Sequence, residues 1–276
     1  LKLSRRSCYQ CSGKDSALRD RERKAVYEAN SKAVDAIHAA ASKALASGNS
    51  WRGLEQACLL SAEIDHDPAA SHIAELLRHH RKEVASAAAY ALKELAVKDV
   101  LPQMLAYAAQ LDRELTTPNQ GKPKRVEVVQ PHLFESFAEH NYRAAEPLLR
   151  KYVPKEDPRF GTWYSRMAAV WSLVHLHQED PDPHLVAQLQ TRMMDRDSTP
   201  PETDEVILVC AFAFGVMKEE SALPQLRRLA DAMSLQAQGR AAHWAIHQIT
   251  DEPIPPKPQL EKSRSQWFLT PIQRSR

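Results

Sequence analysis

The sequence predicts an all-α protein, a right-handed α-solenoid of about six antiparallel helical hairpins. Three observations carry this. Alanine outnumbers glycine 39 to 7 in 276 residues, and these are the best helix former and one of the worst. Five prolines, Pro68, Pro102, Pro147, Pro183 and Pro224, each open an amphipathic segment, at spacings of 34, 45, 36 and 41 residues. Finally, "AAYALKELAVKDVLPQML" (Ala88–Leu105) aligns without a gap on "CAFAFGVMKEESALPQLR" (Cys210–Arg227), at an offset of 122.

Proline suits the first turn of a helix, where its missing N–H would have no intrahelical partner. It also pushes the preceding residue out of the helical region. Each proline therefore ends one helix and begins the next. The run Cys210–Ala230 then reads as two antiparallel helices joined by a turn near Lys218–Ser221.

The elements follow in order. Residues 1–13 read as a disordered tail and 14–67 as N-terminal capping helices, with helices over 25–47 and 51–64. An array over 68–250 pairs 68–80 with 82–97, 100–115 with 131–140, and 143–152 with 163–178. It continues with 183–195 paired with 203–217 and 221–233 paired with 236–250. Loops marked by Pro, Gly or charge separate them: "TTPNQGKPKRVEVVQ", "VPKEDPRFGT" and "DSTPPETD". The first should strain the repeat. Residues 251–276 form a proline-rich tail in which Trp267, Phe268 and Leu269 are expected to cap the last hairpin or to serve as a free binding motif.

An aromatic residue followed by apolar residues two and five positions on occurs four times. It begins at Tyr90, Trp171, Phe212 and Trp244. All four aromatics should sit at equivalent places on second helices, at least half buried. With "LPQL", "AAYALKEL" and "GRAAHWAIHQI" and a period of about 40, residues 68–250 resemble the HEAT-repeat family, in the group of bacterial HEAT-like repeat proteins. The long loops depart from the pattern, as does the lack of the Asp-x-x-Val-Arg turn. Armadillo and tetratricopeptide arrays are less similar. The resemblance implies an α-solenoid acting as a binding scaffold. It also brings in two enzymatic relatives, bilin lyases and alkyl-purine DNA glycosylases.

Composition narrows the function. A net charge of +2 is too balanced to argue for nucleic acid, and no apolar run is long enough for a membrane span. Cys8, Cys11, Cys58 and Cys210 are no disulfide framework. The lone "CYQC" lacks the further ligands zinc requires, and Cys58 and Cys210 read as small buried residues. No phosphate-binding loop, dinucleotide fingerprint or nucleophile elbow occurs. No catalytic residue, metal or cofactor is therefore expected. A cytoplasmic location is favoured; an extracytoplasmic one fits if a signal preceding Leu1 has been removed.

The expected activity is the binding of a protein partner of unknown identity through one face of the second helices. At 100° per residue, Val84, Ala88, Leu92 and Leu95 form the core stripe of 82–97. Lys82, Ser86, Ala89 and Lys93 form the opposite strip. Carried forward, that strip contains Trp163, Met167, Val170, Val174 and His177, then Asp204, Leu208, Ala211 and Lys218, then Arg240, His243 and His247. The candidate binding patch is Trp163, Met167, Val170, Val174 and Leu208, with Lys93, Arg240, His243 and His247 around it. The same spacing describes plain core if the buried side lies one position further round. His243 and His247 share a helical face with Asp251, too few ligands for a zinc site. A nucleic-acid-binding or DNA-repair solenoid would instead need a continuous cationic channel.

Overall fold

A computed structural model of the protein describes residues 31–47, 50–117, 124–156 and 158–256. The expected N-terminal tail, Cys8, Cys11 and the Trp267 cluster lie outside the described residues. Among the described residues the secondary structure is entirely helical. The α-helices are α1 (Ser31–Ser47), α2 (Trp51–Glu63), α3 (Ala70–Leu76), α4 (Lys82–Leu95), α5 (Leu101–Thr116) and α6 (Lys124–Glu139). They continue as α7 (Glu146–Leu149), α8 (Trp163–Leu176), α9 (Pro183–Met194), α10 (Asp204–Met217), α11 (Leu223–Ala232) and α12 (Ala237–Thr250). Among the described residues no helix is long and apolar enough to cross a membrane.

The prolines fall where the sequence puts them. Pro183 is the first residue of α9, and Pro102, Pro147 and Pro224 are the second residues of α5, α7 and α11. Pro68 lies in the 3-10 turn Asp67–Ala69 that runs straight into α3. The turns ahead of them repeat as well. Asp65, Ala96, Asn141 and Lys218 adopt left-handed φ values of 51°, 54°, 48° and 52°. Each is followed two residues later by a 3-10 turn, beginning at Asp67, Lys98, Arg143 and Glu220.

This conformation costs an L-residue about 1–2 kcal/mol, less for Asn and Asp. Ala96 and Lys218 carry that cost without a local side-chain hydrogen bond to offset it. Ala96→Gly and Lys218→Gly are each expected to raise stability by about 1 kcal/mol. Urea denaturation checks this, and an unchanged or lower midpoint contradicts it.

Three elements differ from expectation. α6 begins at Lys124, so half of the expected loop before residue 131 is helical. Val126, Val129, Leu133 and Phe134 are each 0% exposed and share its inner side. Burying each aliphatic or aromatic side chain contributes about 1.5–3 kcal/mol, which together outweighs the roughly 3 kcal/mol cost of Pro131 in the helix interior. The expected helix 143–152 is instead a 3-10 turn, the single turn α7 and a second 3-10 turn. The expected 68–80 helix shrinks to its 3-10 turn and α3.

The chain divides into two compact units. Of the described residues, one contains those from 31 to 112 and from 124 to 136, the other those from 113 to 117 and from 137 to 256. In the first unit, α2 packs against α1 and α4, and α3 lies against α4. Helices α4 and α6 run parallel at a constant offset of 42. Ser86 Oγ donates to the Val128 carbonyl at 3.0 Å, the Tyr90 and His132 rings meet edge to face, and Lys93 Nζ pairs with Glu135 at 2.5 Å. The expected core stripe is buried, with Val84 and Ala88 at 0% exposure and Leu92 at 1%.

In the second unit, α8, α10 and α12 lie side by side, while α9 packs on α10 and α11 on α12. Gly215 is a point of close approach between α10 and α12. A Cβ there would stand 2.6 Å from Trp244 Cζ3 and 2.8 Å from Ala245 Cα.

The second unit also buries an ion pair. Arg166 and Glu202 side chains are both 0% exposed. The guanidinium grips the carboxylate with two bonds, of 2.5 and 2.7 Å, and donates to the Tyr152 and Val153 carbonyls at 3.2 and 3.3 Å. Glu202 also accepts from the Thr203 amide at 2.9 Å. Nearby, Lys155 pairs with Asp195 at 2.6 Å and donates to the Pro200 carbonyl at 2.6 Å. These bonds fix the loops before α8 and α10.

After α12 the chain turns at Asp251, whose φ is 60°, and runs back along the helix. His247 Nδ1 donates to the Glu252 carbonyl at 2.8 Å, and Arg240 to the Pro255 carbonyl at 2.7 Å. Arg227 holds the Glu252 carboxylate with bonds of 2.5 and 3.1 Å.

Candidate functional site

The four repeated aromatics lie where the sequence places them. Tyr90, Trp171 and Phe212 are the ninth residues of α4, α8 and α10, and Trp244 is the eighth of α12. All four are partly exposed and mostly buried. Phe212 meets Trp244 edge to face, with ring centroids 5.0 Å apart, and Trp171 meets His175 similarly at 4.4 Å.

From these aromatics the exposed line of each helix steps by four residues. In α8 it is Trp163, Met167, Trp171 and His175. In α10 it is Asp204, Leu208, Phe212 and Val216. In α12 it is Arg240, Trp244 and Gln248. Every one of these residues is partly or fully exposed. Tyr164, stacked on Trp163 at 3.5 Å, is 48% exposed. The second unit therefore carries a face with an apolar, aromatic centre: Trp163, Met167, Trp171, Leu208, Phe212 and Trp244.

The expected patch needs correction against this geometry. Trp163, Met167 and Leu208 belong to the exposed face. Val170 and Val174 do not, being 1% and 0% exposed, and Ala211 and Ala89 are equally buried. The sequence-derived strip steps by three as well as four. A three-residue step turns 60° back round the helix where a four-residue step turns 40° forward, and that difference carries positions 170, 174 and 211 into the core.

Three of the outlying residues already have partners. Arg240 and His247 hold the chain's own backbone at Pro255 and Glu252. Lys93, in the first unit, pairs with Glu135. His243 is half-buried beside Trp244.

His177, the last residue of the expected strip that begins at Trp163, bonds Glu146 at 2.9 Å, in a cluster where Arg150 also binds Glu146 and Asp182 at 2.8 and 2.5 Å. Burial there pushes the Glu146 carboxyl upward, but the hydrogen bonds from Arg150 and His177 overcome it and hold the group below its ordinary value. His175 is shifted down, chiefly by burial. Cys58 and Cys210 are fully buried, as expected. Burial, with Glu55 adding, pushes the Cys58 thiol up to about 12, and burial raises that of Cys210 as well. Neither is a nucleophile at neutral pH. Among the described residues no group of three His, Cys, Asp or Glu side chains is placed to hold a metal ion.

The equivalent face of the first unit is more polar. It contains a cleft of about 410 Å³, lined by Leu59, Tyr90 and Val128 with Glu55, Lys82, Ser86 and His132 around them.

No protein family, no curated protein and no solved structure matches the chain.

Proposed function

We propose that this chain is a non-enzymatic scaffold of HEAT-like solenoid type that binds a protein partner through the apolar face of α8, α10 and α12. The observation that carries the reading is the set of Trp163, Met167, Trp171, Leu208, Phe212 and Trp244, all partly exposed on three adjacent helices. Aromatic and Met side chains are enriched at the centres of protein interfaces, and charged ones are depleted there. The charges on this face are Asp204 and Arg240, of opposite sign, so it offers no track for a phosphate backbone.

Affinity purification with mass spectrometry tests the reading, comparing the natural chain with Trp163→Ala and Leu208→Asp. Each substitution is expected to cut recovery of the specific partner about tenfold or more, as truncation of interface anchors does. Stability should change by about 1 kcal/mol at most, as at ordinary surface positions. Undiminished recovery rejects the reading. So does recovery of nucleic acid in place of protein, lost in the same variants.

A further inference from the structure

We propose that the edge of the first unit where α2, α4 and α6 begin binds an acidic peptide segment of a protein partner. Trp51, Lys82 and Lys124 open these helices, and cationic side chains gather round that edge. The Arg52 guanidinium lies 4.7 Å from the centroid of the Trp51 ring, and that of Arg81 lies 5.4 Å from it. Arg125 reaches across to donate to the His80 carbonyl at 3.1 Å. The His79 and His80 rings lie tilted against one another, with centroids 4.3 Å apart.

Arg52, Arg81 and Lys82 are exposed and Arg125 is partly so. Among the described residues no carboxylate forms an ion pair with any of the four. The local field is positive enough to register on a neighbour. His79 is held below its ordinary pKa by burial first and then by His80; the hydrogen bond from the Arg81 amide opposes this, and the Arg125 and Arg81 charges add smaller downward contributions. The first turns of α2 and α4 add to this field, because neither Ser50 nor Arg81 caps its helix with a side-chain bond.

The chemistry of the edge selects the class of ligand. An arginine presents a planar fork of donors that matches a carboxylate with two bonds. Seating two guanidiniums on one indole limits the side-chain freedom that binding would otherwise remove. A nucleic acid would continue past the edge with further phosphates, and there it would meet Glu55 and Glu83, which line the adjoining cleft. A peptide fits better: carboxylates on the arginines, followed by an apolar side chain against Leu59, Tyr90 and Val128. This inference shares with the preceding section only the premise that the ligand is a protein.

Fluorescence anisotropy on the full chain tests it, using a labelled oligoglutamate peptide that ends in a leucine pair. The peptide is expected to bind, and to weaken about tenfold or more as salt rises from low to physiological strength and above. Arg52→Gln with Arg81→Gln should weaken it about tenfold or more at an unchanged melting temperature. Either single substitution should act in the same direction, and Leu59→Asp should also weaken binding. Leu208→Asp, in the other unit, should leave the peptide affinity unaltered, which separates this site from the apolar face. The proposal is overturned if the probe does not bind at millimolar concentration, or if the arginine substitutions leave its affinity unchanged. It is equally overturned if a labelled DNA duplex binds more tightly through the same arginines, since the site would then belong to nucleic acid.

Discussion

Replacing Glu202 with Gln, or Arg166 with Met, is expected to destabilise the protein by about 3–5 kcal/mol. Both side chains are 0% exposed, and they bind one another through two short bonds. Removing one partner leaves the other charge buried without compensation. For Arg166, bonds to the Tyr152 and Val153 carbonyls and a contact with the Phe160 ring at 5.4 Å would remain. These satisfy donors but do not neutralise the charge. Arg192, 3.8 Å from Glu202, would remain as a weaker partner for that carboxylate. The double variant Arg166→Met, Glu202→Leu should recover most of the loss, because an apolar pair of similar volume removes both desolvation costs. Thermal and denaturant unfolding of the two single variants and the double variant check this. Strict additivity of the single effects would show that the pair does not act as a unit.

Gly215→Ala is expected to cost about 1–3 kcal/mol, although alanine is favoured over glycine by about 1 kcal/mol in a helix interior. The packing effect wins because the new Cβ would have nowhere to go. Trp244 Cζ3 would lie at 2.6 Å and Ala245 Cα at 2.8 Å. The first atom belongs to a side chain that can move, but the second is backbone. Trp244→Ala should therefore rescue Gly215→Ala only in part, as read by the melting temperatures of the single and double variants. A neutral or stabilising Gly215→Ala would mean that α10 and α12 separate without cost.

The helical framework was legible because its punctuation is local. Proline suits the first turn of a helix whatever packs around it, and Pro102, Pro147, Pro183 and Pro224 occupy the first or second helical position. The start of α6 was not legible, because Pro123 and Pro131 flank a valine-rich segment whose helix depends on burial rather than on local preference. The face of the second unit was half legible. Helix phase found Trp163, Met167 and Leu208, but phase does not say how neighbouring helices cover the two flanks, and Val170 and Val174 lie in the core. Arg166 and Glu202 left no trace in the pattern. An arginine between Ser165 and Met167 reads as surface, and its partner is 36 residues away in a loop. The arginine edge was equally silent, since Arg52, Arg81 and Arg125 are brought together only by the alignment of three helix starts.

The segment that folds back over α12 has a consequence for how many helices the second unit can hold. With Phe212 and Trp244 in register, Leu208, Ala211 and Gly215 of α10 correspond to Arg240, His243 and His247 of α12. The first set offers the next helix an apolar, close-fitting wall. The second set offers a polar one, and two of its members, Arg240 and His247, are already bonded to the backbone at Pro255 and Glu252. A helical pair copied in after α10 would meet surfaces like those it came from. The same pair spliced in after Thr250 would have to displace that backbone and cover a guanidinium and two imidazoles. Among the described residues the layer thus presents an apolar wall at α10 and a polar, partly occupied one at α12, where two side chains, Arg240 and His247, hold the backbone that occupies it.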